Sequence, residues 1–498
     1  MDFLKKFPFH SFLFNIYVVL FVYARNISKL SFNTTYRTLI ISSLITLLLY
    51  GISILTFRSK FKAGLFCTLL LVGLFSYGFT YNTFEHQFYA GKWPFSNIHR
   101  YMILLYLTFY FSLIYLILKS HRQFINANYF LNVFIIIILS INIFKIVEYQ
   151  LNETSILNEH ASKNPLIKDI ETPLSTIDSK KLPDIYYIIL DGYANQNILE
   201  KFYNYDNSSF INFLKEKGFY VAEKSMTNYP YTSQSLSSSL NINYLNDIKT
   251  QDGNSFGDLH ELISQNFVSY FLKKNNYQIV HLRSGYSVTR DFDFADQDIQ
   301  IGGPNEFERG ILEFTILRLD DLSGIFHYLR IKSQFKIMNT LIDIPLPKFT
   351  FIHIVSPHPP FVCNSNGNFK IHHISNVSWE PKQDYIEQLK YITSSIKKFL
   401  ANVISKSKTL PIIILQSDHG PWLRNIEGEN IYQARSYILN AYLTPENYKK
   451  DLYPSISPVN SFRVIFNHIF QSQLDLLPDK SPDKNEMYNN SVFKNYQK

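Results

Sequence analysis

The sequence predicts an α/β protein in two parts: an N-terminal bundle of about five transmembrane helices, then an α/β domain with a mostly parallel central sheet and helices on both faces. Three observations carry this. Five long segments in the first third of the 498 residues are almost uncharged. Beyond residue 182, strand-like apolar runs alternate with helix-like runs, the signature of an α/β domain. Two of those runs, Ile185-Tyr186-Tyr187-Ile188-Ile189-Leu190 and Ile412-Ile413-Ile414-Leu415, are apolar throughout, as strands buried on both faces of a parallel sheet are.

The apolar segments lie near 12–23, 39–57, 63–81, 102–118 and 130–147, and most are long enough to cross a bilayer as helices. The first is short and follows Lys5, Lys6 and Pro8, as a signal peptide would. No small-residue cleavage site follows Val22 and four more apolar segments come after it, so it reads as an uncleaved first span. Lys5, Lys6, Arg58, Lys60, Lys62, Lys119 and Arg122 fall on one side, against Arg25, Lys29, Arg37, Lys92 and Arg100 on the other. By the positive-inside rule the N-terminus is then inside, and five spans put everything after Tyr149 outside. An even number of spans would keep it inside.

The net charge of +8 is scattered among many acids with no compact basic arm, which reads as a solvated surface near lipid headgroups and not as a nucleic-acid site. Cys67 lies in a span and Cys363 in the outer domain, so no disulfide framework or thiolate zinc site is implied. The expected layout is a transmembrane domain at 1–150, a linker at 151–182, an outer α/β domain at 183–475 and a polar tail at 476–498.

Within the outer domain, strand-like runs at 185–190, 219–222, 278–282, 349–355 and 411–415 alternate with helix-like stretches at 209–217, 259–274 and 385–405. The Leu-, Ile-, Phe- and Arg-rich segment 302–343 is either a substrate-facing insertion or a set of amphipathic packing helices.

Polar residues gather where the strands end. Ile412 to Leu415 run into Gln416-Ser417-Asp418-His419-Gly420, and Leu190 into Asp191-Gly192. In Phe351-Ile352-His353-Ile354-Val355-Ser356-Pro357-His358-Pro359, His353 lies in a strand and His358 follows it. Alone, Asp191 reads as a turn acid before a ligand, and His353 as a satisfied core residue. Their shared location raises all of them, because ligands of a parallel sheet collect beyond the carboxyl ends of its strands. Carboxylate and imidazole together suit zinc or manganese. A hydroxyl is available in Asn228-Tyr229-Pro230-Tyr231-Thr232-Ser233-Gln234-Ser235, where Thr232 is placed near a helix N-terminus whose free N–H groups attract anions. The alternative is that Thr232 or Ser233 merely caps that helix.

The order Asp191, Thr232, His353 with His358, then Asp418-His419-Gly420 resembles the sulfatase-like branch of the alkaline phosphatase superfamily. Within it, the chain is most similar to membrane-bound lipoteichoic acid synthases and lipid A phosphoethanolamine transferases, from the spans to about Phe470. The most specific segments are Ser417-Asp418-His419-Gly420 and Ser356-Pro357-His358-Pro359. The resemblance implies an alkaline-phosphatase-like α/β domain outside a bacterial cytoplasmic membrane. It makes Asp191, Thr232, Asp418 and His419 ligands of one divalent metal, with Thr232 the nucleophile. It makes His358 and His353 contacts to the phosphoryl group or to a second metal, and gives 457–463 a structural task.

Two departures stand out. Asp191 replaces the glutamate frequent among the transferases, and 420–434 contains no histidine where phosphoethanolamine transferases carry one. Tyr231 to Ser235 offers no Cys-x-Pro-x-Arg setting, so sulfate ester hydrolysis is not expected. The leading expectation is transfer of a phosphorylated head group from a phospholipid donor to an envelope glycan or lipid acceptor, by a monomer, through a phosphothreonine. Alternatives are a membrane-tethered phosphodiesterase or phosphatase and a non-catalytic glycan-binding relative.

Overall fold

The computed structural model describes residues 3–27, 32–89, 98–163, 182–245, 259–301, 306–315, 323–345, 347–370, 379, 381–423 and 435–481. The chain divides into two compact units, Met1–Ile156 with Pro304–Asp320, and Leu157–Gly303 with Asp321–Lys498.

The first unit is helical. Tyr36–Phe57, Lys60–Tyr81, Tyr101–Lys119 and Ile125–Leu151 are long and apolar enough to cross a membrane, and His10–Arg25 is a shorter apolar helix. Leu48, Leu55, Leu105 and Phe144 stand exposed on these helices, an apolar surface of the kind that lipid covers. Polar groups buried among them are paired: His10 bonds Thr68 Oγ1 at 2.6 Å and Asn128 Oδ1 at 2.7 Å. The helix Glu306–Glu313 belongs to this unit. Its Phe307 and Ile311 pack with Val19, Leu20 and Tyr23, and Glu308 pairs with Arg37. Within 302–343, the described part thus consists of packing helices. The second, Ser323–Met338, lies in the other unit, where Ile331 and Met338 join the core.

The second unit is an α/β domain on a seven-stranded sheet. Its strands are β1 (Ile185–Leu190), β2 (Tyr220–Val221), β3 (Gln278–Leu282), β4 (Gln297–Ile299), β5 (Lys348–Ile354), β6 (Ile412–Gln416) and β7 (Asn440–Leu443), in the order β2-β7-β6-β1-β5-β3-β4. From β6 to β4 every pairing is parallel, while β7 runs antiparallel to both β6 and β2. Alternate residues serve opposite faces, as the pleat requires. Tyr186, Ile188 and Leu190 pack with helices Gln196–Tyr203, Ser208–Glu216 and Lys382–Lys406. Ile185, Tyr187 and Ile189 pack with Thr232–Leu240, Phe267–Lys274 and Pro458–Phe470. All of β1 is fully buried, and each such isoleucine contributes about 1.5–3 kcal/mol.

Two strands escape the sequence reading, because the four-residue β7 and the three-residue β4 are too short to show a period. The stretch 259–274 is two helices and not one. Asn266 breaks it by capping the second, accepting from Ser269 N at 2.8 Å. The end of the sheet away from Asp191 is closed by a buried pair, Lys348 Nζ to Asp184 Oδ2 at 2.7 Å, with Ile344 O as a further acceptor at 2.8 Å. In the segment 457–463, Phe462 meets the ring of Tyr187 at 5.1 Å, a packing role. The expected linker continues as helix to Lys163, and 164–181 lies outside the described residues. Of the expected polar tail, 476–481 runs along the domain, with Leu477 N donating to Asn460 Oδ1 at 2.9 Å. Residues 482–498 lie outside the described residues.

Candidate metal centre

Because β1 lies between β5 and β6, three elements of the site arrive side by side. The register sets Ile189 level with His353 on one side and with Gln416 on the other. Asp191 and Asp418, each two residues beyond that level, therefore leave the sheet together at its carboxyl edge. The backbone holds them there. Asp191 N donates to Ile354 O at 3.0 Å, Gly192 N to Asp418 Oδ1 at 3.1 Å, and Tyr193 N to Ser417 Oγ at 2.9 Å. Gly192 has φ +75°, and a Cβ there would lie 2.5 Å from Trp379 Cη2, so only glycine fits the turn.

Asp191, His353 and Asp418 are buried, and one ligand atom from each lies within 4.8 Å of the others. Asp191 Oδ1, Asp418 Oδ2 and His353 Nε2 have no hydrogen-bond partner, an arrangement costing about 1–3 kcal/mol per atom unless something fills it. The tautomer of His419 sharpens the point. Its Nδ1 donates to Gly420 O at 2.9 Å, so Nε2 carries the lone pair, which lies 3.3 Å from Asp418 Oδ2 and 3.5 Å from Asp191 Oδ1. Acceptors facing acceptors in a buried site call for a cation, and this donor set fits zinc or manganese. Thr289 Oγ1, 2.7 Å from His353 Nδ1, orients that ring from behind.

The electrostatics agree. Burial, with the Asp191 charge adding to it, pushes Asp418 up to about 7. Burial alone would also raise Asp191, but His358 and His353 outweigh it and hold that carboxyl well below the ordinary range. His419 is depressed by burial and by Arg435, and is neutral.

Thr232 is the first residue of the helix Thr232–Leu240 and is buried. Its Oγ1 lies 3.2 Å from His419 Nε2. The cap position belongs to Tyr231, which makes no side-chain cap bond, so the Thr232 hydroxyl turns to the centre and not to the helix. Its loop is pinned by Asn228, whose Oδ1 accepts from Val459 N at 3.1 Å and whose Nδ2 donates to Lys480 O at 2.9 Å.

His358 sits at the rim. Its backbone N donates to Asp191 O at 3.0 Å, its Nδ1 to Pro359 O at 2.7 Å, and its ring lies 4.9 Å from Trp379 and 6.2 Å from His419. Gln388 fastens this loop, accepting from Val362 N at 2.8 Å and donating to His358 O at 3.1 Å. His353, by contrast, lies in the buried floor beside Asp191, its Nε2 3.5 Å from Asp191 Oδ2.

Sequence reasoning missed Thr289 and Arg435. Arg435 is buried, donates to Pro230 O and Gly420 O, and sets Nη2 3.1 Å from His419 Nε2. Burial lowers it to about 10, which leaves it cationic at neutral pH. A lone arginine beyond 424–434 carries no spacing signal, and those residues lie outside the described ones.

No protein-family model matches this chain, and no curated protein matches it in sequence. Solved structures similar to it include the C-terminal periplasmic domain of EptC from Escherichia coli in complex with Zn, at 11% identity and TM-score 0.39, covering 57% of this chain and 81% of that one. The corresponding domain of phosphoethanolamine transferase EptC from Campylobacter jejuni shows 11% identity and TM-score 0.38, covering 57% and 89%. The phosphonate monoester hydrolase of Agrobacterium radiobacter shows 11% identity and TM-score 0.36, covering 58% and 73%.

Proposed function

We propose that this protein is a membrane-anchored, metal-dependent enzyme of the sulfatase-like branch of the alkaline phosphatase superfamily. In this reading it moves a phosphorylated head group, of the phosphoethanolamine or phosphoglycerol type, from a phospholipid to an envelope glycan or lipid. The observation that carries the reading is the Thr232 hydroxyl, 3.2 Å from His419 Nε2 beside unpartnered carboxylate oxygens. A purely structural threonine has no reason to face that cluster.

Asp191, Asp418, His419 and Thr232 would hold the metal, zinc or manganese, with His353 beside Asp191. A divalent ion there supplies positive charge that favours the ionised form of the threonine hydroxyl. Thr232 attacks the phosphorus of the donor, a Thr232 O–P bond forms, and the bond from phosphorus to the diacylglycerol oxygen breaks. The threonine proton would be lost to solvent as the hydroxyl ionises beside the ion. The leaving oxygen takes a proton from His358, whose Nδ1–H is occupied by Pro359 O so that Nε2 serves the substrate. In the second half an acceptor hydroxyl attacks the phosphothreonine, His358 takes its proton, and Thr232 is released. The first-turn amides of the helix Thr232–Leu240 lie where developing negative charge is favoured.

The apolar helices favour a lipid donor, since anchoring keeps the site next to the bilayer at high effective concentration. With the basic residues biased inward, the domain lies on the outer side of the membrane in this reading. Detergent-purified full-length protein incubated with labelled phosphatidylglycerol or phosphatidylethanolamine should accumulate a covalent adduct on Thr232. The mass of the adduct names the group transferred. The adduct should vanish in Thr232→Ala, and unchanged turnover in that variant would sink the mechanism.

A further inference from the structure

We infer that Arg435 binds the phosphoryl oxygens of the substrate beside Thr232, so that this centre works with one metal ion and a fixed guanidinium in place of a second metal. The inference rests on the reading of the site given above and adds to it the group that recognises the phosphate.

Arg435 is 5% exposed and forms no ion pair among the described residues. The carboxylates Asp418 and Asp191 act on it at longer range, but a metal ion held by them would offset their charge, and an anionic substrate would then supply the counter-charge that a buried guanidinium needs. Its position is fixed from several sides. Nε donates to Pro230 O, two residues before Thr232, and Nη1 to Gly420 O, next to His419, so one side chain ties the nucleophile loop to the metal-binding loop. The rings of Trp422, Trp379 and Tyr231 surround the guanidinium carbon at 5.0, 5.8 and 5.9 Å.

A guanidinium offers five N–H groups in a planar fork. Three are used, the third by Nη2 donating to the Nε2 lone pair of His419 at 3.1 Å. That lone pair is the one a metal would take, and loading the centre frees this donor as well, leaving three N–H groups for an anion. A planar fork with N–H groups to spare suits a tetrahedral phosphoryl group, to which it binds in paired contacts. A second metal, in contrast, finds no histidine between 420 and 434 to hold it.

The test uses full-length protein in detergent loaded with zinc, with inorganic phosphate as the probe. Metal content is measured by mass spectrometry and phosphate affinity by titration calorimetry. The wild type should hold one zinc per chain and bind phosphate. Arg435→Gln should keep the zinc and lose phosphate affinity roughly 30-fold or more, the usual cost of removing a charged hydrogen-bond partner. Arg435→Lys, which keeps the charge without the fork, should lose about tenfold, and it carries the test if the glutamine variant does not fold. Phosphate binding within threefold of wild type in either folded variant overturns the inference while leaving the metal reading intact, and so do two zinc ions per wild-type chain. A wild type that binds no zinc fails the metal reading itself, and the inference falls with it.

Discussion

Lowering the pH below 7 is expected to weaken metal binding at this centre, with a slope set by one proton. In the metal-free site Asp418 is pushed up to about 7 by burial and by the charge of Asp191. Asp191 is held low, despite its burial, by His358 and His353 and stays ionised, and the buried His419 stays neutral with its lone pair available. Zinc therefore competes with a proton at Asp418. A raised carboxyl pKa disfavours the charged form that the metal needs, so affinity is complete above pH 7 and falls below it. The ionised fraction of Asp418 is about 0.9 at pH 8, about 0.5 at pH 7 and about 0.1 at pH 6. Apparent affinity should thus drop about tenfold between pH 8 and pH 6, and about tenfold per unit below that. Calorimetry in two buffers of different ionisation heat counts the protons: about 0.9 should leave per zinc at pH 6 and about 0.1 at pH 8. Affinity that is flat from pH 6 to 8, or the absence of proton release at pH 6, would refute the claim that two buried carboxylates share this site.

Three further outcomes can be checked. Thr289→Val removes the hydroxyl that orients His353 and should lower zinc affinity about 10- to 100-fold in a chelator competition; unchanged affinity would mean that His353 does not assist the metal. Gly192→Ala forces a side chain into a left-handed turn against Trp379 and should destabilise the fold by about 1–3 kcal/mol in a denaturant melt, a prediction contradicted by an unshifted midpoint. Lys348→Met leaves Asp184 buried without its cation and should cost about 3–5 kcal/mol, most of it regained in the double variant with Asp184→Leu. If the double variant is as unstable as the single one, the loss comes from packing.

What the sequence made legible follows from where physical signals are local. The apolar runs of β1 and β6 announce buried parallel strands, and an acid at the end of each announces a site, because chain direction alone fixes which end it occupies. The places of His358 just beyond β5 and of Thr232 at a helix start were legible for the same reason, each in a short segment whose neighbours define it. His353 was ambiguous because a histidine in a strand looks the same whether it faces core or carboxylate. Only the register with Ile189 decides it. Thr289 and Arg435 were invisible, since they act through folded proximity: one stands behind a ring 64 residues away, and the other spans from Pro230 to Gly420. The division of 302–343 between two units is equally non-local.

The helix Glu306–Glu313 has a practical consequence for producing the α/β unit alone. By chain order it falls between β4 and β5, yet Phe307 and Ile311 are buried with Val19, Leu20 and Tyr23. A gene cut at the linker would keep this helix and discard what covers it, leaving an apolar stripe open to aggregation. A soluble version therefore needs two operations: starting the chain near Leu182, and replacing 304–320 with a short polar loop. The replacement must be long enough to join its two ends without strain, because closure entropy depends only weakly on length for flexible loops but short loops depart strongly from that rule.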